Sequence, residues 1–213
     1  MSFALLVLLV QAAGLTVAIS GVSIVLGLML GLAVSAASLS RRRLVSVPAR
    51  LYVSFFRGVP LLVQLLLIYN LLPAVGIDVP GVVAAVVGLT LCTSAYQAEN
   101  LRGGFLSVPR GLIEAADMAG LDALQQFRRI RAPIALALTL PTLVSEAIMI
   151  LKASSLVSVV GVVELTRMAQ DLASSTYRPL PMFATAGALY LAVCWTVAGL
   201  GHALERRARW GRA

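Results

Sequence analysis

Long uncharged runs occupy most of the chain and predict helices that cross a membrane. Apolar runs of roughly 20 residues, the length that a helix needs to span a bilayer, recur between short charged segments. Each backbone amide within lipid must be hydrogen-bonded inside its own segment, so these runs are expected to be helical. The predicted fold class is an all-α polytopic membrane protein. Its five predicted spanning helices cover residues 14–37, 51–72, 81–101, 134–151 and 182–203.

The first apolar run is too long for a single span. Residues 3–39 carry no charge, and one straight helix of that length would measure about 55 Å against a bilayer core of ~30 Å. We therefore divide the run into an N-terminal interfacial segment, residues 1–13, and a spanning helix that begins at Gly14. Gly27 and Gly31 have the spacing that suits close helix packing, although ordinary glycines of a membrane helix would give the same pattern.

Proline and glycine residues mark the expected breaks. Pro60 removes a helical hydrogen bond, so it should kink the second span near its start. Residues 73–80 are turn-rich and predict an outer loop. Gly103 and Gly104 should end the third helix.

Composition agrees with a membrane protein and argues against a nucleic-acid partner. Hydrophobic residues make up 60% of the chain and charged residues 12%, whereas a soluble domain carries about 25% charged residues. The formal net charge of +8 could suggest nucleic acid. However, the arginines stand in short clusters between apolar runs, which is the pattern of cytoplasmic loops in membrane proteins.

The distribution of basic residues predicts the orientation. With the N-terminus outside and five spans, all but three of the 17 Lys and Arg residues lie at the cytoplasmic side; the exceptions are Lys152, Arg167 and Arg178. An even number of spans would destroy this asymmetry. Residues 208–213 are then a cytoplasmic tail.

The longest polar stretch, from Ser107 to Pro133, predicts a helical hairpin on the cytoplasmic side. Ser107 can cap a first helix, and Gly120 suits the residue just beyond its end. Asp122 followed by Gln125 resembles a capping box, which would start a second helix that stops near Pro133. A hairpin of this size cannot bury a core of its own. It must dock either on its own membrane helices or on a partner.

Two carboxylates in or near spanning helices are candidate pathway residues. Burying Glu146 within a span is costly, which favours a functional role. It could face a pathway and meet a substrate ammonium or guanidinium, or it could equally bond a neighbouring helix. Glu99 is spaced to pair with Arg102, and a pathway role is the second interpretation. Arg57 is expected to be an interfacial anchor.

The residues do not assemble into a catalytic or metal centre. No nucleophile, base and orienting group can be combined, and no His or Cys pair has metal-ligand spacing. We therefore expect neither enzymatic activity nor a metal or cofactor in this chain. The single histidine, His202, is expected to lie at the interface.

The polar stretch resembles the EAA signature of membrane subunits of ATP-binding-cassette importers. The matching residues are Glu114, Ala115, Ala116 and Gly120, followed by Pro133. Three other stretches resemble the polar amino acid permeases of that superfamily: FFRGVPLLVQLLLIY (55–69), SAYQAENLRGGFLSVPRG (94–111) and LKASSLVSVVGVVEL (151–165). YRPLPMFATAGALYL (177–191) is similar to the histidine/basic amino acid type. Departures from the family pattern are Asp117, Arg131 and Ala153-Ser154.

The resemblance implies a type I importer permease fold over residues 14–207, in which residues 107–133 are the coupling hairpin. It implies a bacterial inner-membrane subunit that carries a polar amino acid, with the basic ones as candidates. The implied partners are a separate cytoplasmic ATPase dimer, a second permease subunit and an extracytoplasmic binding protein. The implied ATPase-coupling residues are Glu114, Ala115, Ala116, Ala119, Gly120 and Asp122. The alternative function is a scaffold or channel whose hairpin binds a regulatory protein.

Overall fold

The computed structural model describes residues 3–74, 76 and 78–210, and over these residues the protein is helical without a β-strand. Residues 1, 2 and 211–213 of the two predicted terminal segments, and 75 and 77 of the predicted outer loop, lie outside the described residues. The α-helices in chain order are α1 Phe3–Ser38, α2 Arg43–Gly58, α3 Leu61–Ala74, α4 Gly81–Leu106, α5 Arg110–Met118, α6 Ala123–Gln126, α7 Ala132–Ala153, α8 Leu165–Thr176 and α9 Pro179–Trp210.

The spanning helices agree with the predicted all-α membrane fold. Within the described part of the chain, four helical segments are long and apolar enough to cross a membrane, and the bent pair α2–α3 brings the number to as many as five. A π turn, Phe127–Arg131, joins α6 to α7. The chain after α7 forms a 3₁₀ segment, Ser154–Val160, followed by α8.

Helix α4 is the centre of the bundle and packs closely on α1. A Cβ on Gly27 would lie 2.3 Å from Thr93 Cγ2, and one on Gly31 would lie 2.9 Å from the Ser94 carbonyl oxygen. The prediction of close packing at these glycines is therefore confirmed. From Gly27 to Gly31 along α1, the contact moves from Thr93 to Ser94 along α4. The two helices therefore run parallel.

Helix α1 is continuous through the predicted division between residues 13 and 14, which is therefore wrong as a helix boundary. A lone glycine in a helix interior costs only about 1 kcal/mol, and the N-terminal turns of α1 are packed. Leu9 and Ala13 belong to a buried cluster with Leu165, Ala169 and Ala186 of α8 and α9. This tertiary packing keeps the segment helical where the length argument predicted a separate piece.

The second predicted span is a broken pair rather than one kinked helix. Helix α2 begins earlier than predicted, and α2 and α3 meet at Val59–Pro60 at an angle of 107°. Gln64 Nε2 donates to the carbonyl oxygens of Phe56 at 2.9 Å and Val59 at 2.7 Å. The break is therefore stable because a side chain satisfies carbonyls that the helix has left unpaired.

Helix α4 continues to Leu106, so the prediction that Gly103 and Gly104 end it is wrong. Gly104 is instead a packing site for α7. A Cβ there would lie 2.9 Å from the Ala135 carbonyl oxygen and 2.3 Å from Thr139 Cγ2. The missing side chain lets the two helices approach, and this contact outweighs the weak helix propensity of glycine.

Replacement of Gly31 by alanine tests the α1–α4 contact. We expect Gly31→Ala to destabilise the protein by about 1–3 kcal/mol, because the new methyl group must displace backbone atoms of α4. Gly21→Ala is the matched control on the same helix, since nothing lies within 4 Å of a Cβ at Gly21. Thermal unfolding of the detergent-solubilised protein measures both. Equal stability of the two variants would contradict the proposed tightness of this contact.

Candidate functional site

The hairpin begins two residues later than the sequence predicts. Helix α5 starts at Arg110 after Pro109. Ser107 is not the cap of α5. Its amide donates to the carbonyl oxygens of Gly103 and Gly104, and its hydroxyl donates to Gly103 at 2.9 Å. Ser107 is therefore the C-cap of α4. It is not available to cap α5, because α4 extends beyond its predicted end.

The turn of the hairpin has the predicted glycine geometry. Gly120 has φ +73°, a left-handed conformation that favours glycine. The amide of Leu121 donates to the Ala116 carbonyl at 3.1 Å, and the amide of Gly120 donates to the Asp117 carbonyl at 3.0 Å. This pair of bonds is the Schellman arrangement that ends a helix.

The start of the second helix is also as predicted. Gln125 N–H donates to Asp122 Oδ1 at 2.8 Å, and Asp122 N–H donates to Gln125 Oε1 at 3.2 Å. These reciprocal bonds form a capping box. Gln126 Nε2 donates across the turn to the Asp117 carboxylate and to the Leu121 carbonyl oxygen at 3.0 Å. Asp117, a departure from the family pattern, thus binds the two arms of the hairpin together.

The second arm does not stop near Pro133, which corrects the sequence prediction. Helix α6 passes through the π turn into α7, so that residues 123–160 form one continuous helical segment. The amide of Ala132 donates to the Phe127 carbonyl oxygen, five residues back. We attribute the tolerance of Pro133 to this wider turn, which relieves the clash that a proline ring makes with the carbonyl four residues earlier.

Most of the predicted coupling residues lie on the exposed surface of the hairpin. Glu114, Ala115, Ala119, Gly120 and Asp122 are exposed, whereas Ala116 is buried at 3% exposure. The sequence analysis missed Met118, which is 90% exposed at the end of α5. Its place among small residues at a helix end was the available signal. The hairpin thus presents small and apolar groups beside a carboxylate.

Glu146 lies on α7 and is buried at 6% exposure. Its Oε1 atom has no hydrogen-bond partner among the described residues. The guanidinium group of Arg57 is close enough to interact electrostatically with this carboxylate. A buried carboxylate with an unpaired oxygen can accept a hydrogen bond from a ligand, and leaving it unpaired is costly.

Arg57 lies between two cavities, which the sequence analysis did not anticipate. Its guanidinium lies 5.2 Å from the centre of the Tyr96 ring, within cation–π range. One cavity of about 370 Å³ extends from Arg57 past Cys92, Tyr96 and Met149. A second cavity of about 420 Å³ contains Arg57 together with Ser38, Arg50, Val53, Ser54, Glu99 and Arg102. Arg57 lines both cavities rather than acting only as an anchor at the interface.

Glu99 and Arg102 form the predicted ion pair. Arg102 Nε donates to Glu99 Oε2 at 3.0 Å, and a second guanidinium nitrogen contacts the other carboxylate oxygen. The pair lies in the second cavity, whereas Glu146 lies on another helix. The structure therefore places the two candidate carboxylates in different local environments.

Glu164 is a buried carboxylate that the sequence analysis did not single out. It caps α8 by accepting from the amides of Thr166 at 2.8 Å and Arg167 at 2.9 Å, and it accepts from Tyr190 Oη at 2.9 Å. The neighbouring Leu165 amide donates to Thr16 Oγ1 at 3.1 Å. This network joins α8 to α1 and α9. The available signal was an acidic residue directly before an amphipathic segment.

These features together define a class of protein. Long apolar helices, a bent helix pair and an exposed hairpin that continues into a spanning helix are features of a polytopic helical membrane protein. Residues 23–210 match the family described as binding-protein-dependent transport system inner membrane component.

Relatives and solved structures agree with this class. The chain is 38% identical to the nopaline transport system permease protein NocM of Agrobacterium fabrum, over 90% of this chain and 84% of that protein. It is 34% identical to the histidine/lysine/arginine/ornithine transport system permease protein HisM of Salmonella typhimurium, over 87% and 83%. A crystal structure of an amino acid ABC transporter with histidines matches with a TM-score of 0.88 and 35% identity, over 94% of each chain.

The chain therefore belongs to the binding-protein-dependent transport system inner membrane component family. It is a permease subunit of an ATP-binding-cassette amino acid importer and has the type I importer permease fold. An inward-facing structure of the methionine transporter MetNI shares this fold, with a TM-score of 0.83 at 24% identity.

Replacement of Glu164 tests the network around α8. We expect Glu164→Ala to destabilise the protein by roughly 2–4 kcal/mol, because it removes a helix cap, leaves two partly buried amides without their acceptor and breaks the bond to Tyr190. Asp171→Asn is the control on the same helix. It removes an exposed pair with Arg167, which is worth about 0–1 kcal/mol. Thermal unfolding measures both, and equal losses would contradict a special role for Glu164.

Proposed function

We propose that this permease subunit works in a complex of several proteins. A second permease subunit, identical or related, completes the pathway, and an extracytoplasmic binding protein delivers the amino acid. A separate cytoplasmic ATPase dimer hydrolyses ATP. The distribution of basic residues supports an outside N-terminus and a cytoplasmic hairpin. The substrate is a polar amino acid, and the name of the relative HisM favours the basic ones.

The hairpin is the proposed contact with the ATPase. Its turn is held by the Schellman bonds, the capping box and the Asp117–Gln126 contact, so it can transmit force without deforming. Small side chains at Ala115 and Ala119 allow another surface to approach the backbone. Glu114 offers an exposed carboxylate to a donor on that surface.

One observation carries the proposed coupling: the hairpin is continuous with the helix that bears Glu146. The second arm enters α7 without a break, and Glu146 lies roughly 35 Å along that helical segment from Asp122. A displacement of the hairpin by the ATPase is therefore passed to α7 through a continuous helical segment. Coupling requires different contacts in the two states of the transporter, and this helix connects the two places where they would form.

Substitutions in the hairpin test the coupling. We expect Glu114→Lys and Gly120→Val to lower ATP-driven uptake by tenfold or more in proteoliposomes that hold the whole complex. The first reverses a contact charge, and the second forces a β-branched residue into a left-handed conformation. ATP hydrolysis should persist but lose its dependence on substrate.

Gly103→Val is the matched control for backbone replacement, because nothing lies within 4 Å of a Cβ at Gly103 and its φ is ordinary. Expression and the melting temperature are measured for every variant. Normal coupled uptake by both hairpin variants, with the ATPase still bound, would refute the assignment of the coupling site. Absence of any ATPase in the purified wild-type complex would instead favour a channel or scaffold.

Glu146 is the proposed charge-reading group of the pathway. Its buried oxygen is unpaired, and it lies one turn of α7 before Met149 and Ile150, which line the cavity around Arg57 and Tyr96. This position supports a role in meeting a substrate ammonium or guanidinium. Glu99 is the weaker candidate, because Arg102 already neutralises it. A pathway role for Glu99 would require that this pair opens.

Replacement of each carboxylate by its amide tests whether Glu146 or Glu99 determines the preference for cationic substrates. We expect Glu146→Gln to weaken uptake of lysine and arginine by about tenfold relative to glutamine, because a neutral amide no longer attracts a cationic side chain. Glu99→Gln should change this preference little. Competition uptake in proteoliposomes measures the ratio, and an unchanged ratio in Glu146→Gln would exclude a charge-reading role.

A further inference from the structure

An open cavity of about 460 Å³ lies where α1 and α4 end and α7 begins. It shares no lining residue with the two cavities around Arg57, so it is separate from the proposed pathway. Helix α1 contributes Leu32, Ala36 and Leu39, and the last turn of α4 contributes Phe105 and Leu106. The walls from these two helices are therefore entirely apolar.

These walls face outward from the bundle. Leu32 is 48% exposed and Leu106 is 62% exposed. On the same stretch of α1, Gly31 and Ser35 are buried against the rest of the protein. Contiguous exposed apolar side chains mark sites of membrane or protein contact. The cavity is thus a groove that is open on the outside of the bundle.

The π turn closes one end of the groove with an aromatic ring and a cation. Phe127 stacks on Phe105 with ring centres 5.7 Å apart and 15° between the planes. Arg131 is the charged residue that lines the cavity, and it has no hydrogen bond or ion pair within the described part of the chain. π turns occur frequently at functional sites.

The charge of this groove and its apolar walls fit one class of ligand. Arg131 follows Arg128 and Arg129 in the same turn, and Leu39 lies just before Arg41, so the groove ends in a basic layer beside the membrane surface. Guanidinium groups bind phosphate oxygens well, and basic pockets between spanning helices bind anionic headgroups. A free anion would gain nothing from the apolar walls.

We propose that this groove binds one anionic phospholipid, with its phosphate on Arg131 and an acyl chain along Leu32, Ala36 and Leu39. The bound lipid contacts the ends of α1 and α4 and the π turn at once. It therefore links the bundle to the junction through which the hairpin continues into α7.

Lipid retention by the purified complex tests the proposal. The complex, isolated through this chain with its partner subunits, is delipidated and titrated with phosphatidylglycerol, with chain-matched phosphatidylcholine and with inorganic phosphate. Native mass spectrometry counts bound molecules, and thermal unfolding reports stabilisation. We expect one tightly bound phosphatidylglycerol, at least tenfold weaker phosphatidylcholine, and no stabilisation by phosphate at the same concentration.

Two pairs of variants locate the site. Arg131→Gln should weaken phosphatidylglycerol binding by roughly tenfold, as expected for the loss of one charge-assisted hydrogen bond, whereas Arg129→Gln on the same turn should not. Ala36→Phe should fill the groove and remove the bound lipid. Ala33→Phe is its control, since Ala33 is exposed on α1 but does not line the cavity.

Three results would overturn the proposal. They are equal retention of the two lipids, equal effects of Arg131→Gln and Arg129→Gln, and lipid that is bound by the permease alone but lost when the ATPase joins. The last result would show that a protein partner occupies the groove. None of these measurements depends on transport, so failure here is separable from failure of the proposed coupling.

Discussion

The close contact between α1 and α4 is the constraint on which the rest of the bundle depends. Gly27 and Gly31 lack side chains where the two helices meet. The Thr93 methyl group occupies the space at Gly27, and backbone atoms of α4 occupy it at Gly31. In lipid there is little hydrophobic force between helices, so close packing of this kind stabilises their association. Helix α4 packs on α1 with one face and contacts α2, α3 and α7 with its other faces. The charged and polar groups of α4 then line the cavities beside Arg57.

The proposed coupling role of the hairpin depends on its connection to α7 rather than on its own stability. Its turn and caps are local bonds, which any short helical hairpin could form. The π turn makes the difference, because it allows the chain to pass Pro133 and remain helical. The proposed contact with the ATPase and the buried Glu146 thereby belong to one continuous helical segment. The same π turn places Phe127 and Arg131 in the lining of the groove that we propose binds a phospholipid.

Polar groups inside this bundle serve two different purposes. Glu164 accepts from backbone amides at the start of α8, so the burial of its carboxylate is compensated. The amide nitrogen of Gln64 satisfies carbonyls at a helix break, while its Oε1 stays unpaired. Glu146 keeps an unpaired oxygen and interacts electrostatically with Arg57, which itself lines two cavities. That contrast, rather than burial alone, separates a structural carboxylate from a candidate ligand-binding one, because an unsatisfied buried group requires an explanation.

The sequence by itself determined the membrane class, the helical fold, the Schellman turn at Gly120, the capping box at Asp122 and the Glu99–Arg102 pair. These depend on hydropathy, which acts on each segment separately, or on bonds between residues a few positions apart. Tertiary structure decided the continuity of α1 past Gly14 and of α4 past Gly103, the break at Val59–Pro60, and the passage through Pro133. It also decided that Arg57 lines two cavities and that the hydrogen bonds of Glu164 and Leu165 together join three helices. Contacts between segments distant in the chain outweigh local propensities of about 1 kcal/mol, and local sequence patterns do not contain those contacts.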